Sequence, residues 1–259
     1  GFVLDDWSTS AVFLDFDKDG DLDLFVSRYL QWSVEVETDC GLIFSFKHDY
    51  CAPLTYNTPL SDLLFQNNGD GTFTDVSRKT GISSVKGYGL GIGVDDFNGD
   101  GLEDIFVAND QTENFLYRNN ADGTLTEVGL PSGMAYDRDG RIQSGMGADF
   151  GDYDNDGDAD LFLANLSRTN PLYRNDGDGT FIEVTRDSGI ILDRKYIGAS
   201  WADLDNDGDL DLHVTTVESP NLLYINNGNG TFSNEGDPFK HKQRGRRSRQ
   251  QQRRSHRRL

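Results

Sequence analysis

The sequence is poor in several residue types and patterns, and each shortage excludes a class of protein. Its 259 residues include only two cysteines, which excludes a fold held together by many disulfides. No apolar run reaches the length of about 18 residues that would predict a transmembrane helix. The four histidines form neither a metal-binding set nor a Ser/His/Asp arrangement, and no phosphate-binding loop is found. The chain begins at Gly1 without a charged and apolar leader, which leaves open a removed signal peptide or a fragment.

Basic residues are scarce over most of the chain. Of the 24 Lys and Arg residues, ten fall in residues 240–259, which contain no Asp or Glu. Residues 1–239 therefore combine 14 basic with 44 acidic side chains, a net charge of −30. A body this acidic should repel nucleic acid and anionic membrane surfaces, and it should attract cations.

Internal repetition is the most prominent feature that the sequence does have. A nine-residue acidic segment occurs four times, at 15–23, 96–104, 152–160 and 203–211. A second segment, Asn-Asn-Gly-Asp-Gly-Thr-Phe or a close variant, begins 23 residues after the start of each of the last three copies. In the first copy this distance is 52 residues, which indicates an insertion of 29 residues at about 30–59.

Short apolar runs around each acidic segment predict four β-strands in every unit of about 50 residues. The turn rich in Asn, Gly and Asp reverses the chain between the last two strands. Four-stranded units at this period are typical of β-propeller blades, so the predicted fold class is all-β. A β-sandwich of repeated hairpins is the alternative, but it offers no reason for a fixed 23-residue spacing. The predicted units lie within a blade region at 1–239, near 7–77, 88–129, 144–185 and 197–235.

The acidic segments have the composition of calcium loops. Calcium takes roughly six to eight oxygen ligands. Side chains at positions 1, 3, 5 and 9 of the segment, with the backbone carbonyl of position 7, can converge on one ion. Glycine at position 6 permits the sharp turn that this requires. The predicted ligand positions are Asp15, Asp17, Asp19, Asp21 and Asp23; Asp96, Asn98, Asp100, Leu102 and Asp104; Asp152, Asp154, Asp156, Asp158 and Asp160; and Asp203, Asp205, Asp207, Asp209 and Asp211.

The loops also set expectations for the metal. Four copies predict about four Ca²⁺ ions, and without a cation the crowded carboxylates of each loop would repel one another. Asn98 supplies an oxygen but no charge, so the second loop should bind most weakly. An EF-hand is rejected because position 12, which needs Glu, holds Val26, Val107, Leu163 or Val214. Magnesium is disfavoured because it prefers to retain its waters.

These motifs together resemble the FG-GAP/VCBS repeat proteins, and most closely the cartilage acidic protein family. The resemblance rests on the Gly-x-Gly-x-x-Asp run before the loop, the acidic loop, the Asn/Gly turn, and the Ser/Thr-Gly-Ile at 80–82 and 188–190. The segments 106–110 and 114–117 and the two-cysteine insertion also match, so the likeness covers 7–235. It implies a propeller like that of integrin α-subunits, usually of seven blades, with calcium in the blade loops. It also implies export to the extracellular space, the cell surface or the periplasm.

Several further expectations follow from the resemblance and from the residues themselves. Four visible blades are expected to be part of a seven-bladed propeller, and a small four-bladed propeller is the alternative. Cys40 and Cys51 are expected to form a disulfide in the insertion, given an oxidising compartment, with two free thiols as the alternative. The basic segment 240–259 has no apolar pattern and is expected to be a disordered tail. A truncated or misread end is favoured there over an anionic partner or a contact with the acidic body.

Two functions from different classes fit the sequence. The first is a calcium-binding extracellular repeat protein that acts as a binding, adhesion or scaffold module. Its loops, the insertion above all, would recognise a protein or glycan that the sequence does not identify. The alternative is an extracytoplasmic propeller enzyme that uses calcium to act on a polysaccharide or phosphoester, as a lyase or phosphoesterase does. That enzyme would need a cluster of Lys, His, Tyr or Arg on one rim, and the sequence offers none, so no catalytic residue is predicted.

Overall fold

The structure is a computed structural model. The predicted basic tail and residues 41–50 of the insertion lie outside the residues that it describes. No helix in the described part of the chain is long and apolar enough to cross a membrane. The described residues are 6–40, 51–166, 169–191, 194–217 and 219–236.

The described residues form four antiparallel sheets, each made of four strands that are consecutive in the chain. This arrangement confirms the prediction of an all-β fold built from four-stranded blades. The seven-bladed propeller implied by the resemblance stays a prediction. Blade 1 contains β1 (Ser8–Leu14), β2 (Asp23–Arg28), β3 (Leu63–Asn67) and β4 (Phe73–Asp75); blade 2 contains β5 (Gly89–Asp95), β6 (Asp104–Asn109), β7 (Phe115–Asn119) and β8 (Leu125–Glu127); blade 3 contains β9 (Gly145–Gly151), β10 (Asp160–Asn165), β11 (Leu172–Asn175) and β12 (Phe181–Glu183); blade 4 contains β13 (Tyr196–Ala202), β14 (Asp211–Thr216), β15 (Leu222–Asn226) and β16 (Phe232–Gly236).

Each blade is an antiparallel meander, and an acidic loop joins its first strand to its second. In blade 2, Asp95 pairs with Asp104 across the loop, and Val94 pairs with Ile105. All residues of the second strands β6 and β10 are buried, as expected for runs that are apolar on both faces. The loops are therefore hairpin connections between strands, and no EF-hand helix flanks them.

Neighbouring blades share a hydrophobic core at each interface. Alternate residues of a second strand face opposite neighbours, because side chains alternate along a strand. Ile105 and Val107 of β6 pack in the core shared with blade 1, whereas Phe106 and Ala108 pack in the core shared with blade 3. A third core joins blades 3 and 4. The four described blades thus form an arc that contains three interblade cores.

Glycine allows the first strands of neighbouring blades to approach closely. A Cβ atom on Gly91 would lie 2.8 Å from the Cα of Gly147, and one on Gly147 would lie 3.2 Å from the Cα of Gly198. Larger residues would push these backbones apart. The Gly-rich runs before the acidic loops therefore reflect the crowding of first strands at the centre of the arc.

Short helices that the strand pattern did not predict interrupt the connections. The two helices that follow blades 1 and 3 end at Gly81 and Gly189, whose φ angles are 92° and 82°. Glycine favours this left-handed ending, so the Ser/Thr-Gly-Ile motif marks the end of a helix. The helices are α1 (Pro53–Tyr56) in the insertion, α2 (Ser77–Thr80), a 3₁₀ turn at Ile82–Ser84, and α3 (Thr185–Ser188).

The insertion connects β2 to β3 and carries both cysteines. Cys40 and Cys51 are joined in a disulfide, the pairing expected from the sequence, and their Cα atoms are 5.0 Å apart. At the base of the insertion, the backbone N–H of Gln31 donates to the carbonyl of Thr58 at 3.0 Å. The Thr58 hydroxyl donates to the carbonyl of Gln31 at 2.9 Å. Because successive strands are antiparallel, the insertion leaves blade 1 at the end opposite the acidic loop.

Candidate metal centres

All four acidic loops share one backbone conformation. The glycine at position 6 has a positive φ in every loop, between 83° and 99°. That conformation was expected from the residue type. The residue at position 4 also has a left-handed backbone conformation, with φ between 58° and 69°. This conformation is uncommon for a lysine, so the sequence did not predict it at Lys18. Position 4 is occupied by Lys18, Gly99, Asn155 and Asn206.

Three of the four loops bring three carboxylates together. In each group the carboxylate oxygens lie within 4.8 Å of one another. The first loop contributes positions 1, 3 and 5, whereas the third and fourth loops contribute positions 1, 3 and 9. In the second loop Asn98 replaces the carboxylate at position 3, and its amide donates to Asp100 Oδ2 at 3.1 Å. The three groups are Asp15, Asp17 and Asp19; Asp152, Asp154 and Asp160; and Asp203, Asp205 and Asp211.

The aspartate at position 5 shapes the turn of each loop. Asp156 Oδ1, at position 5, accepts the backbone N–H of Asp158 at 3.0 Å. The same bond recurs at Asp19, Asp100 and Asp207. The side chain of Asp158 turns toward the Asn/Gly turn of its own blade, where Gly177 leaves room for it. The prediction that position 7 contributes its backbone carbonyl to a cation, which would also suit the leucine in the second loop, stays a prediction.

The aspartate at position 9 has a second role that the sequence did not reveal. In all four loops this residue is at most 1% exposed. Asp160 Oδ1 accepts the backbone N–H of Asn175 at 2.9 Å, and its Oδ2 accepts that of Tyr153 at 3.1 Å. Asp23 and Asp104 make the same pair of bonds in their blades, as does Asp211. This carboxylate ties the loop to the third strand independently of any cation.

In blades 2, 3 and 4, the asparagine at the start of the Asn/Gly turn links neighbouring blades, a role that the turn pattern alone did not show. Asn175 Nδ2 donates to the carbonyl of Phe97, in the loop of the preceding blade, at 2.9 Å. It also donates to the carbonyl of Ala159 in its own loop at 3.2 Å. Asn119 and Asn226 make equivalent pairs of bonds. The only signal in the sequence was the recurrence of this asparagine at a fixed distance from the acidic loop.

Several carboxylate oxygens in the loops lack a protein partner. The Oδ1 atoms of Asp15, Asp17 and Asp154 are buried and accept no hydrogen bond from the described residues. A buried acceptor without a partner is unfavourable, and a bound cation would satisfy it. An all-oxygen set of this kind suits a hard cation such as calcium. The residues present therefore fit the metal that the sequence predicted.

Burial and mutual repulsion raise the pKa values of several loop acids. Burial raises the pKa of Asp160 to about 7, and the charges of Asp154 and Asp156 add to the rise. Burial is also the main cause that raises the pKa of Asp23 and of Asp104 to about 6. A divalent cation nearby would favour the charged forms and lower these pKa values. The loops are therefore arranged so that a cation relieves an existing electrostatic cost.

The four loops lie at the same end of the arc, because each joins the first strand of its blade to the second. Hydrogen bonds join the first loop to the second and the third loop to the fourth. The amide of Asn155 donates to Asp209 Oδ1 in the next blade at 2.7 Å. The backbone N–H of Asp15 donates to Glu103 Oε2 of blade 2 at 2.8 Å. The candidate metal centres thus lie in a row along one rim.

Four-stranded blades in an arc, each with an acidic loop on the same rim, define a propeller-like repeat protein. The sequence profile of the FG-GAP-like repeat family matches residues 96–163, 152–214 and 203–245, which together exceed half of the chain. The chain belongs to this family.

Among curated proteins, the chain is similar to cartilage acidic protein 1 from three vertebrates. Identity is 30% over 167 residues for Xenopus tropicalis, covering 61% of this chain and 25% of that protein. Identity is 30% over 183 residues for Mus musculus, covering 67% of this chain and 28% of that protein. Identity is 29% over 182 residues for Homo sapiens, covering 67% of this chain and 27% of that protein. The matched part of the chain thus spans about a quarter of the length of these relatives.

Among solved structures, the chain is similar to an Agrocybe aegerita lectin whose title describes recognition of non-reducing terminal N-acetylglucosamine. The two are 18% identical, with a TM-score of 0.41, and the match covers 88% of this chain and 65% of the lectin chain. A similarity this weak supports no conclusion about fold or ligand.

Proposed function

We propose that this chain is a calcium-binding extracellular repeat protein that acts as a binding, adhesion or scaffold module. The observation that carries the proposal is the row of four acidic loops, three of which gather carboxylate oxygens to within 4.8 Å. The proposed ligands are the side chains at positions 1, 3, 5 and 9 and the backbone carbonyl at position 7. We propose about four ions, with the Asn98 loop as the weakest site.

Within this proposal the metal has a structural task. Bound calcium supplies positive charge that offsets the repulsion among the carboxylates of a loop. The residues of the chain itself hold the loop in place. The aspartate at position 9 holds the loop against the third strand, as Asp160 does through Asn175 and Tyr153. The asparagine then anchors the loop of the preceding blade. A cation would therefore stabilise both a blade and its interface with the neighbouring blade.

Export from the cytoplasm is part of the proposal. The relatives are named for cartilage, and their name does not denote an enzyme, which supports a binding role over catalysis. The disulfide between Cys40 and Cys51 suits an oxidising compartment. Sites in extracellular modules bind calcium with Kd values of about 10⁻⁴ to 10⁻³ M, which matches calcium levels outside cells.

The insertion is the proposed recognition surface for a protein or glycan ligand. It carries Trp32, which is 38% exposed, and its indole N–H donates to Glu37. The Tyr56 hydroxyl donates to the same carboxylate at 3.1 Å. An aromatic side chain held in place by a hydrogen bond can present a rigid apolar surface to a ligand. Because the insertion lies opposite the acidic loops, ligand binding and calcium binding should be separable by mutation.

Calorimetry on EDTA-stripped protein tests the metal proposal. The expected stoichiometry is near four, and a value of one or none would contradict it. Protein and glycan arrays probed with calcium-loaded protein test the binding role. Trp32→Ala should reduce the signal, whereas Ile182→Ala, at an exposed site in blade 3, should not. Calcium-dependent turnover of an acidic polysaccharide or a phosphoester would instead favour the enzyme alternative.

A further inference from the structure

The residue that directly follows the second strand of each blade is different in blade 2. Its backbone N–H donates to the carbonyl of the residue that precedes the first strand, as Asp110 does to Tyr88 at 2.9 Å. The same bond recurs in the other three blades, where the donor is Tyr29, Leu166 or Val217. The backbone role therefore needs no carboxylate, and Asp110 stands where the other blades have an apolar or aromatic side chain.

Asp110 is a buried carboxylate with few partners. It is 8% exposed. Its Oδ2 accepts the hydroxyl of Tyr29 at 2.9 Å, whereas its Oδ1 accepts no hydrogen bond from the described residues. Burial, followed by the charge of Asp110, raises the pKa of Tyr29, so this hydroxyl keeps its proton and remains a donor. No Lys or Arg in the described part of the chain forms an ion pair with Asp110.

The other buried carboxylates that the structure describes are held by the backbone. The aspartate at position 9 of each acidic loop accepts two backbone N–H groups. Asp62 accepts the N–H of Arg28 at 3.1 Å, and Asp137 accepts two N–H groups of its own turn. Asp110 accepts none. A buried negative charge with so little compensation is unfavourable, and a cation from a ligand would offset it.

Two tyrosine rings and a fixed turn lie beside this carboxylate. The rings of Tyr29 and Tyr88 pack edge to face, with centroids 5.7 Å apart. Because Tyr29 belongs to blade 1 and Asp110 to blade 2, the site lies at an interface inside the arc. Gln111 has a φ of 62°, which is uncommon for a residue other than glycine, and its N–H donates to the carbonyl of Gln143 at 2.9 Å. The turn is thus fixed, and aromatic rings beside a carboxylate favour an organic cation.

The site lies at the base of the insertion, on the rim opposite the acidic loops. Tyr29 directly precedes the insertion. Leu60 and Gly87, which directly precedes Tyr88, exchange two backbone hydrogen bonds of 3.3 and 3.0 Å. The strands between the two rims have six or seven residues and are therefore about 20 Å long, more than twice the screening length of about 8 Å at physiological salt. The charge of the metal loops is therefore largely screened at Asp110.

We propose that Asp110 binds a cationic group of a partner protein, either the guanidinium of an arginine or the ammonium of a lysine. The cation donates to Oδ1 while Tyr29 holds Oδ2, which gives a charge-assisted hydrogen bond in a largely buried setting. A calcium ion does not suit this single carboxylate, because calcium takes roughly six to eight oxygen ligands. The net charge of −30 over residues 1–239 would steer a basic partner toward the chain. This inference deepens the proposed function and rests on it for the use of this rim in recognition.

Titration of the calcium-loaded chain with small cations tests the proposal. Calcium is kept in excess so that the acidic loops are occupied. The probes are N-acetyl-arginine amide, N-acetyl-lysine amide and the neutral N-acetyl-citrulline amide, which keeps the shape of the arginine probe. Backbone amide NMR should show saturable shifts at 110–112 with a cationic probe, with a Kd of about 1 to 10 mM for so small a ligand, and none with the citrulline probe. The cationic probe that binds more tightly identifies the group that the partner presents.

Two variants locate the binding. Asp110→Asn keeps an acceptor for Tyr29 and removes the charge, so the affinity for the cationic probes should fall by roughly tenfold or more. Its melting temperature should equal or exceed that of the wild type, because a buried charge is removed, and this separates loss of binding from loss of the fold. Glu113→Gln is the matched control. It removes an exposed charge from the same turn and should change the Kd by less than about twofold.

Four results would overturn the proposal. They are the absence of a saturable shift at probe concentrations about ten times the expected Kd, shifts of equal size with the citrulline probe, shifts confined to the acidic loops, and an unchanged affinity in Asp110→Asn. The outcome is separable from that of the proposed function. A chain that binds the arginine probe at 110–112 but no calcium would uphold this inference and contradict the metal proposal, and a chain that binds only calcium would do the reverse.

Discussion

Replacing Asp154 by Asn should remove the calcium-dependent stability of one loop and leave the metal-free protein intact. Asp154 Oδ1 is buried and accepts no hydrogen bond from the described residues. Burial, followed by the charges of Asp156 and Asp152, raises the pKa of Asp154. Asparagine keeps the shape of the side chain and removes a charge, as Asn98 does at the same position of the second loop. In EDTA the variant should therefore melt at the wild-type temperature or slightly above it.

The magnitude follows from the number of loops. At free calcium concentrations of about one to ten times Kd, each site stabilises the folded chain by about 0.4 to 1.4 kcal/mol. Four sites together contribute about 2 to 6 kcal/mol, which should raise the melting temperature of a domain of this size by roughly 4 to 24 °C. Loss of the loop at 152–160 should reduce this calcium-dependent shift by about a quarter.

Thermal melts in EDTA and in excess calcium provide the assay. Asn98→Asp is the reciprocal variant and should enlarge the calcium-dependent shift, because it restores the carboxylate missing from the second loop. Asp160→Asn is a contrasting control. It removes one of two oxygens that accept backbone hydrogen bonds, so it should lower the melting temperature in EDTA as well. If Asp154→Asn keeps the full calcium-dependent shift, the loop is not a metal site and the reasoning fails.

Three further predictions concern pH, the interblade asparagine and the disulfide. Because burial raises the folded-state pKa of Asp160 from 3.8 to about 7, the folded state holds this proton more tightly than the unfolded state. The stabilisation that this group gives the metal-free protein should therefore be present below pH 4 and be lost as the pH rises to about 7. A melting temperature in EDTA that rises over this pH range would contradict the prediction. Asn175→Ala leaves the carbonyls of Phe97 and Ala159 without this donor, so urea unfolding should show that the free energy of unfolding falls by about 1 to 3 kcal/mol. No loss would argue against the interblade link. Replacing Cys40 and Cys51 by Ser should leave the calcium-dependent shift in melting temperature unchanged, since the disulfide lies at the opposite end of blade 1.

The blades and their loops were predictable because their determinants are local in sequence. Runs such as Ile105–Val107 predict buried strands, and the spacing of aspartates predicts which residues approach one another within a loop. The prediction of blades was strong because the same local pattern occurs four times in the sequence. An EF-hand was excluded in the same way, because position 12 holds valine or leucine where an EF-hand needs glutamate.

Features that depend on contacts between blades were not predictable in this way. The bond from Asn175 to the carbonyl of Phe97 joins residues that are far apart in the chain and meet only when two blades pack. The two backbone bonds to Asp160 likewise require the third strand to lie beside the loop. The left-handed conformation of Lys18 is imposed by the loop against the preference of the residue type. Sequence reasoning identified the candidate ligands but missed the residues that hold them in place.

Because each blade shares its core only with its neighbours, local stability should vary along the arc. Blades 2 and 3 take part in two interblade cores each, whereas blades 1 and 4 take part in one. Opening of the native state should therefore begin at the two ends, and backbone amides should exchange with solvent most slowly in β6 and β10. The profile of amide protection along the chain would then show which blades share a core on both sides.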